Sequence, residues 1–163
     1  MKTPLARFNS AYPAVLLVVR LVAGLIMAYH GLQKFQGGVS NFAAGIDSLG
    51  LPAATLIAWI VSILELVGGL MVAIGIFARI PAALLVIEMF ITGVYVQLAK
   101  AGTGLIAPGD QPGTGAERDF LYLCAFLVIA VFGPGRLSLD AALGIETEET
   151  MMGPAIASEG GAA

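Results

Sequence analysis

Residues 20–35 read RLVAGLIMAYHGLQKF and carry three basic side chains, Arg20, His30 and Lys34, in otherwise mostly apolar sequence. The residues before them, YPAVLLVV at 12–19, are apolar as well. A run of about 20 mostly apolar residues is long enough to cross a bilayer as a helix. An ionisable side chain inside such a run is costly unless it faces the protein interior. The stretch therefore predicts a membrane-spanning helix with one polar face.

The composition supports a membrane protein. The chain has 163 residues, of which 58% are hydrophobic and 12% charged, with a mean hydropathy of +0.92, whereas soluble domains average about 25% charged residues. The net charge of −3 and the lack of a basic run argue against a nucleic-acid partner. One cysteine and one histidine exclude an intrachain disulfide and disfavour zinc, haem or copper ligation, so we expect no metal site and no covalently bound cofactor.

Four apolar segments qualify as spans, at residues 13–35, 52–77, 80–100 and 116–135. The second and third are joined by only two residues, which forces an antiparallel hairpin. Between the first and second, Phe42, Ile46 and Leu49 recur at helical spacing, which is typical of a short amphipathic helix in the membrane interface. The predicted fold is all-α: an integral membrane four-helix bundle with a short interfacial helix between helices 1 and 2.

The domain organisation follows from these segments. Residues 1–12 form an N-terminal segment, residues 13–143 the four-helix transmembrane domain, and residues 144–163 an acidic and small-residue tail that we expect to be disordered. An even number of spans places both termini on one side of the membrane. Basic residues number four on that side and three on the other, which favours cytoplasmic termini; they are Lys2, Arg7, Arg79 and Arg136 against Lys34, Lys100 and Arg118.

Two polar clusters are predicted inside the bundle. At 100° per residue, Arg20, His30 and Lys34 share one face of the first helix. An unpaired charge at mid-membrane costs about 2.5 to 3.5 kcal/mol, so these groups must pair or lose their charge. The depth of each residue in its span allows an intramembrane polar cluster of Arg20, Glu65 and Glu88. His30 and Lys34 lie near the opposite mouth, where Glu117 begins the last helix, and these three form the second cluster.

Small residues line the same faces. Gly24, Gly31, Gly68 and Gly69 are predicted to pack helices closely. By contrast, Asp119 falls on the far face of the last helix, where we expect it only to complement the helix N-terminus.

Each of these polar residues also has a purely structural interpretation. Arg20 with Glu65 is equally explained as an ion pair that locks the bundle. His30 fits an interhelical hydrogen bonder as well as a proton relay or a quinone contact. The Lys34 side chain is equally explained if it extends to the membrane interface. The Glu117 carboxylate is equally explained if it only complements the positive end of a helix dipole. No arrangement of nucleophile, base and acid is visible, so catalytic residues remain unassigned and the chain does not look like a complete catalyst.

Four motifs in order resemble one family. They are RLVAGLIMAYHGLQKF, LELVGGLMVAIGIFARI, GAERDFLYL and FGPGRLSLD, which together extend over roughly residues 14–140. In this order they resemble the DoxX family of small four-helix bacterial membrane proteins. The positions that match the family pattern are Arg20, His30, Gly31, Lys34, Glu65, Gly68, Gly69, Glu117, Gly133, Pro134, Gly135 and Asp140. Glu88 is not part of that pattern.

The resemblance implies a membrane subunit associated with an oxidoreductase, since a related branch is similar to the small subunit of thiosulfate:quinone oxidoreductase. The leading hypothesis is an inner-membrane subunit that anchors a redox protein partner and forms a quinone or proton site, with His30 bonded to a quinone carbonyl. A second hypothesis is a structural or assembly subunit without a ligand. A third is a small transporter or channel, which the absence of an obvious inverted repeat disfavours.

Overall fold

The structure, a computed structural model, describes residues 12–108 and 115–146. All regular elements within these residues are helices. They are α1 (Tyr12–Gly37), α2 (Val39–Ser48), α3 (Ala54–Ile74), α4 (Arg79–Ala101), α5 (Glu117–Phe132) and α6 (Leu139–Ala142). The predicted all-α membrane fold is confirmed.

Within the described ranges, three helices, α1, α3 and α4, are long and apolar enough to span a membrane. Each begins or ends within three residues of a predicted apolar segment, because the length of apolar sequence sets the length of the helix. The fourth predicted span corresponds to α5, whose 16 residues fall short of the usual length of about 20. The predicted interfacial helix corresponds to α2, which packs Val39, Ala43 and Ile46 against Ala58 of α3.

Two of the long helices contain π-helical turns. In α3 the stretch Leu64–Gly68 is π-helical, and in α4 the last ten residues, Thr92–Ala101, are π-helical. A π-turn inserts one extra residue, so the side chains after it rotate relative to those before it, and such turns are frequent at functional sites. The turn in α3 contains Glu65, and the one in α4 begins four residues after Glu88.

The core runs along the middle of the bundle. Helices α4 and α5 pack along each other, and α1 packs along α3. The shared core includes Met27 of α1, Val72 of α3, Leu85 of α4 and Phe126 of α5. Large apolar side chains on the outward faces of these helices are exposed, for example Val22, Ile60 and Ile87, as expected for a surface that contacts lipid rather than water.

The ends of the chain extend partly beyond the described residues. Of the predicted N-terminal segment only Tyr12 is described, where α1 already begins. Of the predicted tail, residues 144–146 are described, and Glu146 forms an ion pair with Arg79 at 2.7 Å between Oε1 and Nε. Residues 147–163 lie outside the described residues, and so do Lys2 and Arg7.

Candidate functional site

Polar side chains from four helices meet in a cavity of about 150 Å³, here called the inner cavity. It lies between α1, α3, α4 and the start of α5, with Phe42 of α2 at its edge. Its walls combine ionisable groups with apolar ones: Met27, His30, Lys34, Phe42, Val61, Glu65, Glu88, Met89, Thr92, Arg118, Asp119 and Tyr122.

The centre of the inner cavity is an ion pair between Lys34 of α1 and Glu65 of α3. Both side chains are largely buried, at 19% and 7% exposed. They meet because α1 and α3 are in backbone contact beside them: a Cβ atom on Gly31 would collide with the backbone of Leu66. The π-helical turn of α3 holds Glu65 at this contact. The Nζ atom of Lys34 also lies 4.9 Å from the centre of the Phe42 ring, where cation–π attraction adds to the pairing.

Glu88 of α4 lies beside this pair. Its side chain lines the inner cavity together with the Glu65 carboxyl. The residue is 9% exposed, and its Oε2 atom has no hydrogen-bond partner among the described residues. A buried polar atom without a partner is unusual in a folded protein and calls for an explanation.

Asp119 of α5 brings a third buried carboxyl into the inner cavity. It is 3% exposed, and its Oδ1 atom lies 3.6 Å from Nε of Arg118. Its Oδ2 atom finds no hydrogen-bond partner in the described part of the chain. Gly93 of α4 faces Asp119, and a Cβ added there would sit 3.4 Å from Cβ of Asp119, in ordinary van der Waals contact.

His30 is half-buried and faces the start of α5. Its ring meets that of Tyr122 edge to face, with centroids 6.3 Å apart, and it interacts electrostatically with Asp119. The imidazole therefore lies within the same electrostatic environment as the buried carboxyls.

The charges of the inner cavity do not balance if every carboxyl is ionised. Three carboxylates, from Glu65, Glu88 and Asp119, would face the ammonium and guanidinium groups of Lys34 and Arg118. Like charges held close together favour the uptake of a proton, so the inner cavity is suited to proton exchange. Among the described residues no group of three or more His, Cys, Asp and Glu side chains is arranged to hold a metal ion.

The inner cavity adjoins two further spaces. Toward the end of α1, an open pocket of about 290 Å³, here called the polar mouth, shares His30, Lys34 and Phe42 with it and is otherwise lined by Gln33, Gly37, Gly38 and Asn41. Toward the outer surface of α3 and α4, an apolar groove of about 690 Å³, here called the lateral groove, shares Phe42, Val61, Glu88 and Thr92 with it. The cavity thus lies between a polar opening and an apolar one.

The predicted cluster of Arg20, Glu65 and Glu88 is only partly present. Glu65 and Glu88 are together, but Arg20 does not pair with Glu65, and that part of the prediction is wrong. Arg20 is buried at the other end of the bundle, where Nη1 donates to the carbonyl of Pro134 at 3.0 Å and Nη2 to that of Leu137. The guanidinium group finds its acceptors in backbone carbonyls, an option that a search for an acidic partner overlooks.

Arg20 and Asp140 instead fasten the segment that follows α5. The Asp140 carboxylate accepts hydrogen bonds from the backbone N–H groups of Phe77 and Ala78 at 2.8 and 3.1 Å, and its own N–H donates to Gly75 at 2.8 Å. Arg20 and Asp140 also attract each other electrostatically. These contacts give the FGPGRLSLD motif a structural role.

The second predicted cluster is rearranged as well. His30 and Lys34 both line the inner cavity, but Glu117 does not. Its carboxylate accepts from the N–H of Ala107 at 3.1 Å and so closes the loop between α4 and α5. The prediction that Glu117 joins His30 and Lys34 is therefore wrong. The expectation that Asp119 lies on a far face is wrong too, since Asp119 is buried.

The four predicted packing glycines lie at helix contacts. A Cβ on Gly24 would come within 2.7 Å of the backbone of Gly69 and Ala73, and one on Gly69 would come within 2.7 Å of Gly24. Gly31 faces Leu66, whereas Gly68 faces the Pro81 side chain on α4 at 3.2 Å.

Sequence reasoning missed Asp119, Arg118, Tyr122 and Thr92 as cavity residues. Their place in the cavity depends on α5 lying beside α1 and α4, which the spacing of residues within one helix does not reveal.

Comparison with known proteins assigns the chain to a family. A family model described as DoxX matches residues 15–98, just over half of the chain. The chain belongs to the DoxX family. The matched region contains α1 to nearly the end of α4, and with them Lys34, Glu65 and Glu88, whereas Asp119 lies beyond it.

Several curated proteins are similar to this DoxX chain over most of its length. A Bacillus subtilis protein named "Putative oxidoreductase CatD" is 31% identical over 81% of this chain and 89% of its own length. The Escherichia coli "Inner membrane protein YphA" is 32% identical over 82% of this chain and 93% of its own. The Mycobacterium tuberculosis "Uncharacterized membrane protein Rv3486" is 30% identical over 80% of this chain and 82% of its own length. No solved structure matches this chain.

Proposed function

We propose that this DoxX protein is the membrane subunit of an oxidoreductase complex, which anchors a redox partner in the bilayer and contributes an intramembrane quinone site. The observation that carries the proposal is the inner cavity, where Glu65, Glu88 and Asp119 are buried together with Lys34. Buried ionisable groups inside membrane helices mark proton or substrate sites by default. The oxidoreductase name of one relative, at 31% identity, points the same way.

The chemistry of the cavity suits a quinone. Reduction of a quinone consumes protons as well as electrons, and its oxygens exchange hydrogen bonds with carboxyl, imidazole and ammonium groups. The inner cavity offers all three, in Glu88, His30 and Lys34. Because its three carboxyl groups outnumber the ammonium and guanidinium groups beside them, the inner cavity is also suited to supply a proton to such a reaction.

The electrons in this proposal come from a partner protein. The chain has one cysteine and one histidine, Cys124 and His30, which is too few for the usual ligation of haem or an iron–sulfur cluster. In this proposal the chain supplies the membrane anchor and the inner cavity, and the partner supplies the redox cofactor.

We further propose that the protein lies in the bacterial inner membrane with both termini in the cytoplasm. Two of the described basic residues, Arg79 and Arg136, lie at the end of the bundle that holds Arg20, and three lie at the opposite end. Together with the N-terminal basic residues the count favours the first end as cytoplasmic. Labelling of single cysteines placed at Arg136 and at Gly38, after Cys124→Ser, tests this: a membrane-impermeant maleimide should reach Gly38 alone in intact spheroplasts.

The complex is tested by isolating the tagged full chain from its own bacterium in a mild detergent. We expect a flavin-, haem- or iron–sulfur-containing protein to copurify in near-equal amounts, and quinone to be present in the lipid extract. In cells that lack the chain, the same partner should lose its membrane attachment. A chain that purifies without any redox protein, from membranes whose quinone-reducing activities are unchanged by its deletion, would refute the proposal.

A double variant separates this function from a purely structural subunit. Replacing the buried ion pair by apolar residues of similar size, Lys34→Met with Glu65→Leu, is expected to preserve the fold, because such exchanges are often neutral. It should nevertheless abolish the activity of the complex. Asp47→Asn is the matched control, since Asp47 is an exposed carboxylate outside the inner cavity. Full activity of the double variant would instead support a subunit that only assembles the complex.

A further inference from the structure

The lateral groove is an apolar opening in the lipid-facing surface, between α2, α3 and α4. Its walls come mainly from aliphatic side chains such as Ile60, Leu84, Ile87 and Ile91, each of them about half exposed. Among the described residues, Glu88 is the one ionisable residue that lines it. The groove has the volume of a ligand site, since such sites measure about 300 to 1,000 Å³.

The groove and the inner cavity share a wall. Glu88 and Thr92 of α4, with Val61 of α3 and Phe42 of α2, line both spaces. A molecule that enters the groove from lipid therefore reaches the polar cavity after passing one layer of side chains. Thr92 already donates its hydroxyl proton to the Glu88 backbone carbonyl at 2.9 Å, so of these two polar side chains only the Glu88 carboxyl, in its protonated form, can donate to a ligand carbonyl.

Glu88 is suited to meet such a ligand. It is nine-tenths buried, and its Oε2 atom has no hydrogen-bond partner within the described residues. A carboxyl oxygen left without a partner in a buried site loses free energy that a ligand hydroxyl or carbonyl restores. The unpartnered atom thus indicates where a polar head group binds.

The sizes of the two spaces define the ligand. A cavity of about 150 Å³ is large enough for one benzene-sized ring, and the inner cavity has that volume. The lateral groove is several times larger and almost wholly apolar, which suits a hydrocarbon tail. A single ring with hydrogen-bonding oxygens and a long apolar tail is the chemistry of a membrane quinone.

We propose that the lateral groove and the inner cavity form one quinone site, in which the tail lies in the groove and the ring enters the cavity to hydrogen-bond Glu88. The inference rests on the proposed function and specifies its ligand geometry: the quinone enters sideways from lipid between α3 and α4. It also moves the expected head-group contact from His30 to Glu88.

The test uses the full chain in nanodiscs of phosphatidylethanolamine and phosphatidylglycerol. The probes are decylubiquinone and the same ubiquinone ring without a tail. Quenching of Trp59, the one tryptophan of the sequence, reports binding; Trp59 lies next to Ile60 on α3. Partition of the probes into lipid is common to all variants and is subtracted with a disc that contains no protein.

Two variants address the two halves of the site. Glu88→Met removes the carboxyl at similar side-chain length, and should weaken both probes about fivefold, as expected for the loss of one hydrogen bond. Ile87→Phe fills the groove and should weaken decylubiquinone about tenfold, through loss of buried tail methylenes, while the tailless ring binds as before. Ile80→Phe makes the same change on α4 outside the groove and should leave both probes unaffected.

Three outcomes would overturn the site. One is equal decylubiquinone affinity in Ile87→Phe and Ile80→Phe, and another is unchanged affinity for both probes in Glu88→Met. The third is displacement of decylubiquinone by equimolar oleic acid, which would make the groove a fatty-acid or acyl-chain site. Melting temperatures of each variant in the same discs establish that the fold is intact, and the groove variant remains informative if Glu88→Met does not fold.

The inference and the proposed function fail separately. If the redox partner copurifies but decylubiquinone does not bind specifically, the protein is an anchor and this quinone site is wrong. If decylubiquinone binds as described but no redox partner is found, the site stands and the role as an oxidoreductase subunit is wrong.

Discussion

Lys34 and Glu65 pair across the contact of α1 and α3, while Arg20, on the same helix as Lys34, has no part in that pairing. Fourteen residues separate Arg20 and Lys34, about 21 Å along a helix. Arg20 donates hydrogen bonds to backbone carbonyls of the segment that follows α5, whereas Lys34 forms an ion pair with the buried Glu65. One polar stripe on α1 therefore divides into a structural end and an end that lines the inner cavity.

Removal of Lys34 should destabilise the protein, because the buried carboxyls then lack the positive charge that compensates them. Lys34→Met leaves Glu65 buried without its cation, and such an unpaired buried charge lowers the free energy of unfolding by about 3 kcal/mol. Titration of the detergent-solubilised protein with sodium dodecyl sulfate, followed by Trp59 fluorescence, measures this loss. The variant Lys34→Met with Glu65→Leu should recover to within about 1 kcal/mol of the original protein. If the double variant is no more stable than Lys34→Met, the pair is not the source of the loss.

The contact that brings Lys34 to Glu65 depends on Gly31. A methyl group at this position would meet the Leu66 backbone, which cannot move as a flexible side chain can. We expect Gly31→Ala to lower the free energy of unfolding by about 2 kcal/mol, the usual cost of overpacking, and to weaken decylubiquinone binding. The same denaturant titration and nanodisc assay measure the two effects.

Gly37 provides the matched control for Gly31. It lies in the same helix, but nothing lies within 4 Å of an added Cβ. Gly37→Ala should leave stability unchanged or raise it by up to about 1 kcal/mol, since alanine is favoured over glycine in a helix. Equal effects of the two substitutions would mean that helix propensity, rather than the contact with Leu66, decides the outcome.

Asp140 should matter for the fold and not for the site. Asp140→Asn keeps one acceptor but turns an amide donor toward the N–H groups of Phe77 or Ala78, which should cost about 1 to 3 kcal/mol. Hydrogen exchange should become faster at those two amides and in residues 133–142. Decylubiquinone affinity should not change, because Asp140 lies outside the inner cavity. A loss of affinity without faster exchange would show that the two ends of the bundle are coupled.

The sequence predicts the helices well because apolar length is a local property. Helix α1 was expected at residues 13–35 and occupies Tyr12–Gly37, and α4 was expected at 80–100 and occupies Arg79–Ala101. The short amphipathic helix α2 follows from spacing in the same way. Its apolar residues recur at 3.6-residue intervals regardless of what they pack against.

The sequence predicts the pairing of side chains less well than it predicts the helices, for two physical reasons. A helical wheel assumes an ideal helix, but the π-helical turn at Leu64–Gly68 adds a residue and rotates the following side chains by about 100°. Matching of opposite charges also leaves out backbone carbonyls. For this reason the sequence predicts Glu65 as a partner of Arg20. The burial of Asp119 depends on which helix lies beside it, and spacing within α5 carries no such information.

Arg118 and Asp119 allow a direct measurement of how far Asp119 depends on a partly exposed cation. Their side chains are 46% and 4% exposed, so solvent screens the attraction and limits it to about 1 kcal/mol. Arg118→Met should lower the free energy of unfolding by no more than this amount, and less at high salt. Asp119→Asn should leave stability unchanged or raise it, because the buried carboxylate then carries no charge that needs a partner. In the Asp119→Asn background, Arg118→Met should have no further effect on the unfolding titration. A loss that persists in that background would mean that Arg118 stabilises the protein through another carboxyl of the inner cavity, with Glu88 and Glu65 the nearest candidates.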